Sequence, residues 1–135
     1  MKAITIKQPW ASLICTSRQD DPTKGIKDIE NRTWPTKFRC RVLVHASLSS
    51  WSTRQLGLYL TPSMVNELHK IDFNAQTLLN LPKSAIIGSI EIVDCVINHH
   101  SIWAEKSEFS PYTVNGQDNE GFEPVYNWVL SNPIK

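Results

Sequence analysis

Gly25-Ile-Lys-Asp-Ile-Glu-Asn-Arg-Thr-Trp34 is a short apolar-polar alternating stretch that carries a lysine, two carboxylates, an amide, an arginine and an indole. Alternation of this kind reads as a strand over Ile26 to Trp34, and a strand serving stability alone carries fewer charges. The segment therefore reads as a binding surface. On a regular strand Asp28, Glu30, Arg32 and Trp34 share one face, while Lys27, Ile29 and Asn31 share the other. Lys27 meets Glu30 only if it lies in the turn before the strand or if a bulge reverses the alternation, and Gly25 makes such a departure inexpensive. If they meet, two outcomes stay open. The carboxylate keeps the ammonium charged, or desolvation strips the proton and leaves a base or nucleophile.

Outward from this stretch, the chain reads as strands with a few helices. Lys2 to Ile6 alternates as a strand, and Pro9 suits the first turn of a helix through Trp10, Leu13 and Ile14 to about Thr16. Ser17 to Lys24 is a loop. Cys40 to Ala46 is a further strand, with Val42, Val44 and Ala46 on one face, and it is expected to pair directly with the Ile26 to Trp34 strand across a turn at Pro35-Thr36-Lys37. Thr61-Pro62 starts a helix with Met64, Val65, Leu68 and Ile71 at helical spacing. Ala85 to Ile97 is the longest strand signal, with Ile86, Ile90, Ile92 and Val96 on one face, and Val125 to Leu130 is the last. Ser107 to Phe122 is polar enough for a mobile loop.

The 135 residues correspond to a single domain, 1–135, which buries roughly two-thirds of the surface its unfolded form exposes. Cys15, Cys40 and Cys95 lack CxxC spacing and read as small apolar residues in a reducing compartment. The start has no long apolar stretch or cleavage site, and no apolar run approaches the eighteen or so residues a bilayer requires, so a cytoplasmic protein without a membrane role is expected. Residues 1–54 carry ten basic side chains against four acids, a balance of +6, and the remainder carries four against nine, a balance of −5. So basic a half suits an anionic partner such as nucleic acid, unless the fold interleaves the halves. His99-His100 with Glu105 and Glu108 reads as a polar turn rather than a metal site. No P-loop or GxGxxG is present, and no cofactor is indicated. His45 stands at the end of a strand, and Ser47 is a candidate N-cap for the segment after it.

Ile4-Thr-Ile-Lys-Gln-Pro-Trp-Ala11, Gly25 to Trp34, Val42-Leu-Val-His-Ala-Ser47 and Tyr126-Asn-Trp-Val-Leu130 occur in the order seen in ASCH (activating signal cointegrator homology) domains, and the chain resembles that family along nearly its whole length. The resemblance implies an α+β fold, a small PUA-like β-barrel with flanking helices, related to RNA-binding modules. By position, Lys27, Glu30 and Arg32 would line a cleft for RNA or a nucleotide, with Lys7, Gln8, Trp10, His45 and Ser47 nearby. The binding set then comprises Lys7, Gln8, Trp10, Asn31, Arg32, Trp34, Arg39, His45 and Ser47. Lys7, Lys27, Arg32 and Arg39 are the basic side chains expected to neutralise phosphates, which for about four phosphates on a single strand gives a roughly 50-fold fall in affinity between 50 and 200 mM salt. An exposed indole, Trp10 or Trp34, would stack a base for about 1–3 kcal/mol, whereas Trp51, Trp103 and Trp128 are expected in the core.

The alternative is an enzyme, a ribonuclease or a modified-nucleoside amidohydrolase, with Lys27 and Glu30 as a catalytic acid-base pair. Some small relatives resemble amidohydrolases that remove an acyl group from cytidine through a Lys-Thr-Glu constellation. The lysine maps to Lys27, but the threonine maps to Glu30, so the hydroxyl is missing. Two departures from the family stand out. About eight residues, Ser17 to Lys24, are inserted before the Gly-x-Lys motif, where they would extend or obstruct the cleft, and the chain stops at Lys135, short of the closing strand of many members. Oligomeric state is left open, with a monomer expected.

Overall fold

The computed structural model describes residues 1–107 and 123–135; most of the Ser107 to Phe122 segment expected as a loop lies outside them. Five strands form one curled sheet in the order β1-β3-β4-β5-β2: β1 (Ala3–Gln8), β2 (Ile29–Arg32), β3 (Arg41–Ser50), β4 (Ala85–Val96) and β5 (Tyr126–Ile134). β1 runs parallel to β3, and the other pairings are antiparallel. Helices α1 (Trp10–Cys15), α2 (Thr53–Tyr59), α3 (Pro62–Lys70) and α4 (Ala75–Leu79) flank it. The result is a half-barrel of the PUA-like, α+β kind.

The long strand β4 does most of the curling. It pairs with β3 on one side and β5 on the other, and its ladders slip at Val44/His45, Ser89/Glu91 and Ile92/Asp94. Each slip inserts a residue on one strand and bends the sheet. The slips also reassign faces: Ile90 and Ile92 are buried, but Ile86 is half exposed and Ile87 packs against the core in its place, so the single face expected for β4 is broken. Val42, Val44 and Ala46 do share one buried face of β3. Against these residues α1 packs Ala11, Leu13, Ile14 and Cys15, all buried.

Several expectations need correction. β2 does not pair with β3; its ladder partner is β5, with Arg32 opposite Tyr126 and Ile29 opposite Val129. β5 extends to Ile134, four residues beyond Leu130, and those residues pair with β4. Pro9 is the N-cap of α1 rather than its first residue. Ser47 caps no helix: it lies within β3 and its Oγ accepts from the Ser49 N–H, while α2 is capped by Ser52, whose side chain and that of Gln55 form a capping box. The Ser17 to Lys24 insertion is tied to the end of β5 by Asn132 N–H to the Thr23 carbonyl at 2.7 Å and Lys24 Nζ to Ser131 Oγ at 3.0 Å.

Of the three cysteines only Cys15 is buried; Cys40 is exposed and Cys95 half-buried. Burial pushes the Cys15 thiol up to about 11, with the Lys135 charge opposing. An unfolded thiol ionises near 9.0, so between these two values the native state holds a proton that the unfolded chain releases, and stability falls as pH rises. Denaturant unfolding from pH 8 to pH 11 is expected to show a loss of about 2–3 kcal/mol from this group, absent in Cys15→Ala. Identical pH slopes for the two proteins would contradict it.

Candidate functional site

The two terminal strands of the sheet, β1 and β2, face each other across an open seam, and a cleft of about 270 Å³ lies over it. Thr5, Ile6 and Lys7 of β1 form one wall, and Glu30, Asn31 and Arg32 of β2 the other. Trp10, Trp51 and Tyr59 supply aromatic surface, and Lys27 and Glu105 complete the lining. The guanidinium of Arg32 bridges the seam, with Nη2 donating to the Thr5 carbonyl at 3.0 Å.

Lys27 lies in the turn before β2, not on the strand, and that placement turns it toward Glu30. The turn is fastened to α1: Ile26 N–H donates to the Thr16 carbonyl and Lys27 N–H to the Leu13 carbonyl. Gly25 passes so close to α1 that a Cβ there would stand 2.4 Å from the Ile14 carbonyl oxygen, so the glycine serves close approach. Lys27 is 3% exposed. Its Nζ donates to the Ile29 carbonyl, lies 3.6 Å from Glu30 Oε1, and sits 5.6 Å from the Trp10 ring centroid.

Glu30, itself buried, is shared. Its Oε2 accepts from Arg32 Nε at 3.1 Å and Nη2 at 2.8 Å. Burial pushes the Lys27 ammonium below its ordinary value, while Glu30, then Glu105 and Asp28, pull it back up. Arg32 also stands 5.3 Å from the Trp34 ring centroid. Trp34 is 52% exposed and sits edge-on to Trp128, whose Nε1 donates to the Trp34 carbonyl.

The aromatic wall is a packed cluster. Trp10 meets Trp51 at 5.1 Å and Tyr59 at 5.4 Å between centroids, and Trp103 at 6.1 Å from the core side, all edge-on. Trp10 is 7% exposed, so it is the floor of the cleft and not an exposed stacking platform. Burial, followed by the charges of Glu105 and Glu30, pushes the Tyr59 phenol up to about 12. The phenol is protonated at neutral pH.

Of the residues singled out by sequence, Lys7, Trp10, Lys27, Glu30, Asn31 and Arg32 converge on the cleft, with Trp34 beside it. The Asn31 amide is committed: Nδ2 donates to the Trp103 carbonyl, and Oδ1 accepts from Glu105 N–H and Asn127 Nδ2. Gln8 is fully buried and joins the Ser12 N–H to the Pro82 carbonyl, a scaffold role. Arg39 lies away from the cleft, bonded to the Thr36 and Phe38 carbonyls and 3.9 Å from Asp94. His45 is one strand removed, on β3, with Nδ1 3.4 Å from Thr5 Oγ1. Ser47 and the insertion Ser17 to Lys24 contribute nothing to the lining.

Trp51, Tyr59 and Glu105 are cleft residues that sequence reasoning missed. A signal existed for two of them: Ser52-Thr-Arg-Gln55 is a capping-box spacing, which starts a helix right after Trp51 and carries Tyr59 at its end. Glu105 is placed by long-range bonds to Asn31 and Asn127, which leave no local trace. Among the described residues there is no cluster of metal-ligating side chains, and no helix is long and apolar enough to cross a membrane.

Comparison with known proteins identifies the family. The family model for the ASCH domain matches residues 4–135. Human "Activating signal cointegrator 1" is 24% identical over 93 residues, covering 69% of this chain and 14% of that protein. With a model match over nearly its full length, the chain belongs to the ASCH domain family.

Proposed function

We propose that this ASCH domain binds RNA, and that a segment of unpaired RNA enters the seam cleft. The observation carrying this reading is the pairing of cations with aromatic surface across the seam: Lys7 and Arg32 at the walls, Trp10, Trp51 and Tyr59 on the floor, and the exposed Trp34 indole adjoining Arg32. Cations neutralise phosphates, and aromatic faces hold bases that have left a stack. At about 270 Å³ the cleft lies just under the roughly 300–1,000 Å³ of a drug-sized pocket, which suits one base with part of its sugar.

Lys27 is buried and faces Glu30, and Arg39 is elsewhere, so the phosphate contacts reduce to about two, at Lys7 and Arg32. Affinity for bulk tRNA is then expected to fall about sevenfold between 50 and 200 mM salt, a gentler slope than the sequence alone suggests. Lys7→Glu, at an exposed position, is expected to weaken retention on a filter with an unchanged unfolding midpoint. Retention that ignores both salt and Lys7→Glu would refute the reading.

A second reading, in which Lys27 and Glu30 act on RNA or a modified nucleoside, is favoured by one observation: burial pulls the Lys27 ammonium toward neutrality inside the cleft. The same retention experiment tests it when RNA mass is recorded. Unchanged mass supports a reader, and a mass change lost in Lys27→Ala supports an enzyme.

A further inference from the structure

We propose that the cleft selects its base by the N–H donors on one edge, with Glu105 as the reading group and guanine as the preferred base. This rests on the cleft being the RNA site argued above. The carboxylate and amide acceptors that line the cleft, taken in turn, lead to it.

Glu30 Oε2 is occupied by two N–H groups of Arg32, and its Oε1 faces Lys27. The Thr5 carbonyl is taken by Arg32, and Asn31 Oδ1 already accepts two bonds. The Glu105 carboxylate is different: among the described residues no cation lies within salt-bridge distance of it. Its backbone is nonetheless fixed on both sides, N–H to Asn31 Oδ1 at 3.1 Å and carbonyl from Asn127 Nδ2 at 3.1 Å. Glu105 lines the cleft together with Lys27 and Tyr59, and its charge bears on both of those groups.

A carboxylate open to the cleft repels a phosphate and calls for donors. The part of the nucleotide that enters is therefore the base, with the phosphate left at Lys7. Guanine alone among the four standard bases presents two adjacent donors, N1–H and N2–H, on its pairing edge, which match the two oxygens of a carboxylate. On uracil the lone N3–H is flanked by two carbonyl oxygens, which the same carboxylate repels.

The test compares heptauridylate with the same oligonucleotide carrying one central guanosine or one central inosine, which lacks the N2 amino group. Affinities are measured by fluorescence anisotropy at 50 mM salt for the wild type, Glu105→Gln and Lys7→Glu. The guanosine oligonucleotide is expected to bind about tenfold more tightly than heptauridylate, with inosine between them. Glu105→Gln is expected to remove that preference from both sides, weakening the guanosine oligonucleotide and relieving the repulsion of uracil, with the unfolding midpoint in place. Equal wild-type affinities for the three, or a guanosine preference that survives Glu105→Gln, would overturn the proposal. If those affinities still fall with Lys7→Glu, RNA binding at the cleft stands without base selection; if they ignore Lys7→Glu, the cleft reading itself fails.

Discussion

Glu30→Ala is expected to destabilise the protein by about 3–5 kcal/mol at neutral pH, since removing one partner of a buried ion pair strands the other. The stranded group is Lys27, 3% exposed, whose ammonium then keeps only the Ile29 carbonyl and the Trp10 face. The converse change is milder. Lys27→Met removes an ammonium that is costly to bury, and Glu30 retains the two N–H groups of Arg32. The double variant Lys27→Met/Glu30→Ala is therefore expected to be more stable than Glu30→Ala alone.

The pH dependence has a definite sign. Burial holds Lys27 in the folded state below its unfolded value of 10.5. In the window beneath 10.5 the unfolded chain binds the proton that the native state releases, so this group's contribution to stability rises with pH. Without Glu30 the window widens downward, and the gap between Glu30→Ala and wild type is expected to narrow from pH 7 to pH 10. Taking the difference at each pH cancels the opposing effect of Cys15. Denaturant unfolding of the four proteins decides it: a Glu30→Ala loss under about 1 kcal/mol, or a double variant weaker than Glu30→Ala, would show that the pair is not coupled in this way.

Trp10→Ala is expected to cost a further about 3–5 kcal/mol, the range for deleting a buried aromatic side chain. Trp10 contacts Trp51 and Tyr59 on the cleft side and Trp103 in the core, so its loss opens a void where floor and core meet. Trp34→Ala separates stability from binding. With 52% of its surface exposed, Trp34 is expected to cost less than about 1 kcal/mol in stability on truncation, while RNA affinity drops by about tenfold through lost stacking. Thermal melts alongside RNA retention check both variants. A Trp10→Ala protein that melts with the wild type would place the indole outside the core.

What the sequence made legible was whatever leaves a local period. Val42, Val44 and Ala46 alternate in one unbroken run, and Thr61-Pro62 opens α3 with a cap and a proline, as the structure has it. The partner of β2 was not legible, for it comes from the other end of the chain: Arg32 opposes Tyr126, and nothing near either residue encodes the other. The faces of β4 were misassigned because slips in its ladders break the period from which faces are read. In the cleft, Lys27 and Glu30 stood out from the charges of the Gly25 to Trp34 stretch, while their meeting turned on whether Lys27 precedes the strand. The fastening of residues 26–27 to α1 decides that, and it is a tertiary contact. Arg39 and Gln8 show the reverse, being plausible by type but committed to backbone carbonyls elsewhere.

The curl of the sheet also bears on the exposure of its two edges. An open five-stranded sheet ends in two rows of backbone groups without a strand partner, and such edges template pairing with other molecules. Here both terminal strands turn toward the same seam, where Arg32 reaches across to the Thr5 carbonyl and charged side chains crowd the gap. The features that make a cleft also make each edge a poor template for another copy. An insertion that flattened the sheet would be expected to open the cleft and bare both edges together.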